Sequence, residues 1–234
     1  MGVFTFKKFS VCDDGSTMKV GTDAVLLGAW AVVEQAKTIL DIGTGSGVIA
    51  IMMAQRSSEE TKIDAVEILI EDAQQASNNV SNCPWPEKIT VSNNRIQDFY
   101  PGKKYDLIVC NPPFFSNSLL PPNEKRSKAR HPNTLSLDEL IAATIRLLLP
   151  NGKLCIILPF AESETFTTKA RSNKLLLHRL TRFFTRSGKL QERSLMQFAF
   201  THQSPREESL FLYEANDEWT EGYHQLTKDF YLEW

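Results

Sequence analysis

Asp41-Ile42-Gly43-Thr44-Gly45-Ser46-Gly47 lies between the apolar run Thr38-Ile39-Leu40-Asp41-Ile42 and a helix-forming run over residues 48–55. A short buried strand that feeds a glycine-rich turn and then a helix is the unit from which doubly wound sheets are built. The glycines have a physical use. They lack the β-carbon that would hold a ligand away, and the helix that follows offers N–H groups with no partner inside it. The spacing is G-x-G-x-G, which differs from the dinucleotide pattern G-x-G-x-x-G, and no Gly-Lys-Ser/Thr follows to make a P-loop. Glu67 stands about 20 residues further on, at the end of the next apolar strand, where an acid can accept both hydroxyls of a ribose.

Periodicity alternates outward from this turn. Ahead of it, Ala24, Leu27 and Ala31 fall at helical spacing within residues 22–36, with Thr22 or Asp23 as cap. The first 20 residues mix aromatics with Lys7, Lys8 and Lys19 and read as an irregular arm or a short hairpin. Behind it come a strand at 62–66, a helix at 71–80, a strand at 89–91 and a nearly all-apolar strand at 105–110. An all-apolar strand belongs at the centre of a sheet, covered on both faces. A helix follows at 136–149, with Ser136 and Glu139 spaced as a capping box, and Pro150-Asn151-Gly152 ends it. A fifth strand is expected at 153–158. The remainder carries two β-rich pieces, 177–185 and 195–201, joined by a turn at Ser187-Gly188-Lys189. With no helical pattern between them, these two are expected to pair antiparallel at the sheet edge. The expected fold is α/β: one doubly wound, mostly parallel sheet in a single domain over residues 1–234, with residues 1–20 as its arm.

Composition narrows the class. The chain has 234 residues, 42% hydrophobic and 23% charged, which suits a globular domain with a sizeable core. Its longest apolar stretch, residues 24–33, is half the roughly 20 residues of a membrane span. The first residues lack the basic-then-apolar order of a signal peptide, so a cytoplasmic protein with no membrane partner is expected. Cys12, Cys83, Cys110 and Cys155 form no Cys-x-x-Cys pair and the four histidines are dispersed, so no metal is expected. The net charge is -2, but it is unevenly spread. Residues 169–193 hold eight bases and one acid, while residues 206–234 hold eight acids and two bases. The first run could guide a nucleic acid. Nothing in the sequence fixes an oligomeric state.

The most specific chemistry follows the central strand. In Asn111-Pro112-Pro113-Phe114, two prolines stiffen the backbone and remove two donors, leaving the Pro112 carbonyl free to accept. The Asn111 side-chain oxygen is a second acceptor beside it, and Phe114 offers a flat face. An exocyclic amine on a base is a poor nucleophile because its lone pair is delocalised into the ring. Two acceptors gripping its two hydrogens favour a geometry in which the lone pair can attack, and position and electrostatics then do most of the work. A base buried in a duplex cannot reach such a pocket, so it must be single-stranded or flipped out, with an aromatic ring replacing its lost stacking.

These motifs carry a resemblance. Asp41 to Gly47 resembles the first motif of class I S-adenosylmethionine-dependent methyltransferases, with Glu67 as the ribose-binding acid and Asp98 at the position that contacts the adenine amino group. The resemblance implies a Rossmann-like, seven-stranded sheet with an antiparallel C-terminal hairpin, and S-adenosyl-L-methionine as cofactor. Asn-Pro-Pro-aromatic resembles the amine-methylating branch, and Phe114 in place of Tyr leans towards a nucleobase. Phe4, Phe6, Lys7 and Phe9, followed by residues 18–30 and Glu124 to His131, are similar to the tRNA1(Val) adenine-37 N6-methyltransferase family, well over residues 4–160 and loosely beyond. That resemblance implies tRNA as partner and assigns roles residue by residue. Lys19, Gly21, Asp41, Gly43, Gly45, Gly47, Glu67, Asp98 and Asn111 would hold the cofactor. Asn111, Pro112 and Phe114 would act on the amine. Phe114, Phe115, Lys125, Arg126 and Arg130 would hold the RNA. The alternatives are N2-guanine methylation of ribosomal RNA, glutamine-amide methylation of a protein, and a non-catalytic binding module that has kept the fold.

Overall fold

A computed structural model describes residues 2–14, 19–113 and 135–232. Its elements are β1 (Val3–Thr5), β2 (Ser10–Cys12), α1 (Thr22–Trp30), β3 (Thr38–Ile42), α2 (Val48–Arg56), β4 (Lys62–Glu67), α3 (Ile70–Ser81), β5 (Ile89–Asn93) and β6 (Tyr105–Cys110). They continue with α4 (Leu137–Leu147), β7 (Leu148–Pro159), α5 (Phe160–Ser172), β8 (Leu176–Arg186), β9 (Arg193–Ala199), β10 (Arg206–Tyr213) and α6 (Glu221–Thr227). β1 and β2 form a separate antiparallel hairpin, which resolves the arm-or-hairpin choice. Among the described residues no helix is long and apolar enough to cross a membrane.

The main sheet runs β10-β8-β9-β7-β6-β3-β4-β5. It is parallel throughout except for β9, which is antiparallel to both β7 and β8. The α/β, mostly parallel, Rossmann-like class is as expected, and β8 and β9 pair antiparallel as expected. The count is different: this sheet has eight strands, not seven, and the hairpin does not end it. β10 adds in parallel to β8 and takes the edge, so that β8 as well as β9 lies inside the sheet.

The centre of the sheet explains its own sequence. Successive side chains of a strand point to opposite faces. Ile39, Leu107 and Val109 enter the core under α1 and α2, while Leu40, Ile42, Ile108 and Cys110 enter the core under α4 and α5. Both faces are covered, so β3 and β6 are apolar at nearly every position. α2 is buried along Val48–Ala54 because it is sandwiched between the sheet and α1. Gly28 of α1 makes that contact possible, since an added β-carbon would sit 2.6 Å from the Met52 sulfur.

Several bounds moved for physical reasons. α1 stops at Trp30, short of residue 36, because Ala31 is extended and Arg56 donates to the carbonyls of Gly28 and Ala31 at 2.7 Å each. Ser136 and Glu139 do form the expected capping box. Pro150 to Gly152, expected between a helix and a strand, lies within β7 at a register irregularity against β6. α5 was not expected. It carries the crossover that two same-direction strands, β7 and β8, require, but its buried face is only Glu162, Ser163, Phe166 and Ala170, so no apolar period shows.

β10 also explains the uneven charge. In the parallel β8–β10 pairing, Arg179 donates to Glu208 at 2.6 Å and Arg182 to Glu207 at 2.6 Å, and Arg186 pairs with Asp217 beyond the strand end. Lys169 pairs with Asp138, and Arg193 with Asp23. Much of the basic run is therefore neutralised within the fold, and the acidic C-terminal stretch supplies the partners of Arg179, Arg182 and Arg186. Glu208 also accepts from the Thr181 hydroxyl, which in turn accepts from the Trp30 indole at 2.7 Å. Removing that carboxylate strands two donors. Glu208→Ala is expected to lower unfolding free energy by about 1–2 kcal/mol, read from urea denaturation.

Candidate active site

The glycine loop leaves β3 at its carboxyl end. β4 lies on one side of β3 and β6 on the other, so the carboxyl ends of three adjacent strands deliver Gly43–Gly47, Glu67 and Asn111 to one crevice. Strand order reverses here, which is where open α/β sheets bind ligands. The crevice is a cleft of about 600 Å³ lined by the loop, by Glu67, by Asn111-Pro112-Pro113 and by the segment Lys19 to Ala24.

The loop is held from beneath. Gly43, Gly45 and Gly47 have φ of +70, +54 and +84 degrees, a backbone region that side chains disfavour. A β-carbon on Gly43 or Gly45 would meet nothing within 4 Å, so the backbone itself faces open space. Gly47 lies apart from the lining and serves packing: its missing β-carbon would be 3.4 Å from that of Ala76 on α3. The amides of Gly43 and Thr44 donate to the Val66 carbonyl. Asn79 of α3 donates to the Ser46 carbonyl and the Cys12 carbonyl, both at 2.8 Å, and so ties the loop to the N-terminal hairpin.

Asp41 and Glu67 are the two acids of the loop. Asp41 is fully buried; one oxygen accepts from the Thr44 hydroxyl at 2.6 Å, and the other has no hydrogen-bond partner among the described residues. Burial, reinforced by nearby Glu67 and opposed by the Thr44 hydroxyl and the Ala50 backbone amide, pushes its pKa up to about 7. Asp41, expected to contact the cofactor, does not line the cleft; it lies beneath the loop and braces it through Thr44. The folded protein holds the Asp41 proton more tightly than the unfolded chain, whose aspartate titrates near 3.8. The associated stability is therefore full below that value and is lost as pH rises to about 7. The loss approaches about 4 kcal/mol. Thermal midpoints measured from pH 4 to pH 8 should fall for the wild type and flatten in Asp41→Asn.

Glu67 is nearly buried, and its two oxygens accept from the backbone amides of Gly45 and Leu69 at 3.0 Å each. It therefore fixes the loop it was expected only to accompany. Cys110 lines the cleft next to Asn111, but burial and then Asp41 and Glu67 push its thiol pKa up, making it a neutral wall.

Lys19 and Gly21, both expected to hold the cofactor, line the cleft. Asp13 fixes them from outside, accepting from the Val20 amide at 3.0 Å and the Lys19 ammonium at 3.3 Å. Asp98 does not join the cleft. It ends a short turn at Ile96–Asp98, its side chain is mostly exposed, and it faces Arg95 at 4.0 Å. Phe114, Phe115, Lys125, Arg126 and Arg130 lie outside the described residues.

Sequence reasoning missed the opposite wall: Phe183, Thr185, Glu192, Arg193 and Leu212. Arg193 donates to Asp23 at 2.8 Å, and Thr185 to Glu192. No motif marks them, because they reach the cleft only when β8–β10 fold back beside α1. The one available signal was the acid at Asp23 within an otherwise apolar helix start.

Residues 15–167 match the family model of the methyltransferase small domain. A tRNA1(Val) (adenine(37)-N6)-methyltransferase of Bacteroides fragilis (strain YCH46) is 43% identical over 98% of this chain and 97% of its own length. The chain belongs to the tRNA1(Val) (adenine(37)-N6)-methyltransferase family. Members of that name from Photorhabdus laumondii and Haemophilus influenzae (strain 86-028NP) are 42% and 40% identical over 98% and 99% of this chain, and 95% and 99% of their own lengths. Two solved structures share the fold. The crystal structure of a predicted O-methyltransferase, protein Atu636 from Agrobacterium tumefaciens, superposes with a TM-score of 0.69 at 17% identity, over 89% of this chain and 96% of its own. The ribosomal protein L11 methylase of Lactobacillus delbrueckii subsp. bulgaricus gives 0.57 at 18% identity, over 81% of this chain and 84% of its own.

Proposed function

We propose that this methyltransferase moves the methyl group of S-adenosyl-L-methionine to the exocyclic N6 amine of adenine 37 in tRNA1(Val). One observation carries the mechanism: Asn111, Pro112 and the glycine loop line a single cleft. A volume of about 600 Å³ suits a nucleoside cofactor and a base. S-adenosylmethionine, when bound, supplies a methyl on a positively charged sulfur; the amine lone pair would take that carbon as its bond to sulfur breaks and a neutral thioether leaves, and the proton the amine then sheds would pass to solvent.

The chain's residues divide the remaining work. Gly43, Thr44 and Gly45 present backbone to the cofactor, Asp41 holds the loop from beneath through Thr44, and Glu67 offers its remaining lone pairs to ribose hydroxyls. Lys19 to Asp23 form the rim, and Gly47 acts through packing. The Asn111 side-chain oxygen and the Pro112 carbonyl accept the two hydrogens of the adenine amine and orient its lone pair. Phe114 and Phe115 would stack on the base, with Lys125, Arg126 and Arg130 on flanking phosphates. Asp98 has no place in this arrangement.

The test is methyl transfer from labelled cofactor to RNA stem–loops whose loops carry adenine but no guanine, or guanine but no adenine. Label on the adenine loop alone is expected. Label on the guanine loop alone, or on protein glutamine, would replace this reading. Mass spectrometry of tRNA from a strain lacking the protein should show unmodified adenine 37 in tRNA1(Val).

A further inference from the structure

Beside the catalytic cleft lies a second cavity of about 240 Å³ that shares Gly21, Thr22 and Leu212 with it. Its other walls are mostly aromatic: Phe4 from the hairpin, Tyr213 at the end of β10, and Trp219, Tyr223 and Tyr231 from the C-terminal segment. We infer that this cavity receives a nucleobase adjacent to the target adenine. The inference rests on the RNA reading above and extends it to a second base.

The geometry suits that occupant. The rings brace one another, with Trp219 centred 5.2 Å from Tyr223 and 5.3 Å from Tyr231, and Phe4 6.2 Å from Tyr231. Tyr213 is fixed by a β-bridge to Trp219 and by the Arg186 guanidinium 5.2 Å over its ring. All but Tyr223 keep part of their surface accessible. Preformed aromatic walls are what an unpaired base stacks on, whatever its identity. The shared wall suits a phosphate. Gly21 and Thr22 are exposed at the N-terminus of α1, Gly21 supplies no side-chain cap there, and Lys19 stands next to it with its side chain 63% exposed and its ammonium paired with Asp13. A dinucleotide with its target base in the cleft and its neighbour among the rings would carry its phosphate across that helix start.

The experiment pairs protein variants with abasic RNA. In a stem–loop holding the target adenine, an abasic site is placed immediately 5′ or immediately 3′ of it. With wild-type enzyme, one of the two positions should raise KM about tenfold, the worth of one lost base–aromatic stack. Trp219→Ala should raise KM for the intact loop by a similar factor, acting on KM rather than kcat, and should erase the penalty of that abasic position. Trp219→Phe, which keeps a stacking face, should recover most of the loss. An unchanged KM in Trp219→Ala, or an abasic penalty that persists in it, overturns the inference. If Trp219→Ala does not fold, intrinsic fluorescence decides. Titration with the stem–loop should quench the wild type more than Trp219→Phe, and equal quenching overturns the inference. The fluorescence readout needs no turnover, so it stands even if adenine methylation fails.

Discussion

Asn111→Ala is expected to bind S-adenosylmethionine within about twofold of wild type and to transfer methyl about a thousandfold more slowly. The side chain follows the end of β6, beside Pro112, and lines the cleft together with the glycine loop. Removing it takes away one of the two acceptors proposed to grip the amine, and a positioned polar group of this kind is worth about 10²–10³ in rate. The rest of the loss comes from a base free to rotate out of line. Asn111→Asp keeps an oxygen acceptor at the same place and should recover part of the rate. Calorimetric cofactor binding beside single-turnover rates separates the two effects. Normal turnover in Asn111→Ala would falsify the amine-gripping mechanism.

Glu67→Ala is expected to weaken cofactor binding by 10- to 100-fold and to cost about 2 kcal/mol of stability. The sequence alone accounts for the first effect, through hydrogen bonds between a charged group and ribose hydroxyls. The second comes from the fold, because the same carboxylate accepts from the amides of Gly45 and Leu69 and anchors a loop whose glycines sit at positive φ. Glu67→Gln retains a single acceptor oxygen and should fall between wild type and Glu67→Ala in both measurements. Titration calorimetry and urea unfolding on the same preparations test the pair of effects. An unchanged dissociation constant removes Glu67 from the site; an unchanged unfolding curve removes its anchoring role.

The legible parts of this protein share a property. β3, β6 and the turn after β3 are written in local chemistry: largely apolar runs, then glycines at φ values that other residues avoid. Ser136 and Glu139 meet within one helical turn, so their capping box could be read directly. α5 was hidden because Ser, Thr and Lys dilute a buried face of four residues. β10 was hidden because its acids make sense only against the arginines of β8, in a pairing that brings Arg179 and Glu208 together across 29 positions of sequence. Asp98 was placed by analogy with a motif, and the turn at Ile96–Asp98 points it to Arg95 and solvent instead.

The sequence by itself determined the alternation of strands and helices, the glycine cradle, the downstream acid and the two acceptors of Asn111-Pro112, because each depends on residues close together along the chain. Only the tertiary structure decided that Glu67 anchors the loop, that Asp41 keeps an idle buried oxygen, that Arg193 meets Asp23 and that five aromatic rings gather beside the cleft. Those facts rest on contacts between distant segments, and burial, pairing and shared walls arise only when the sheet brings such segments together.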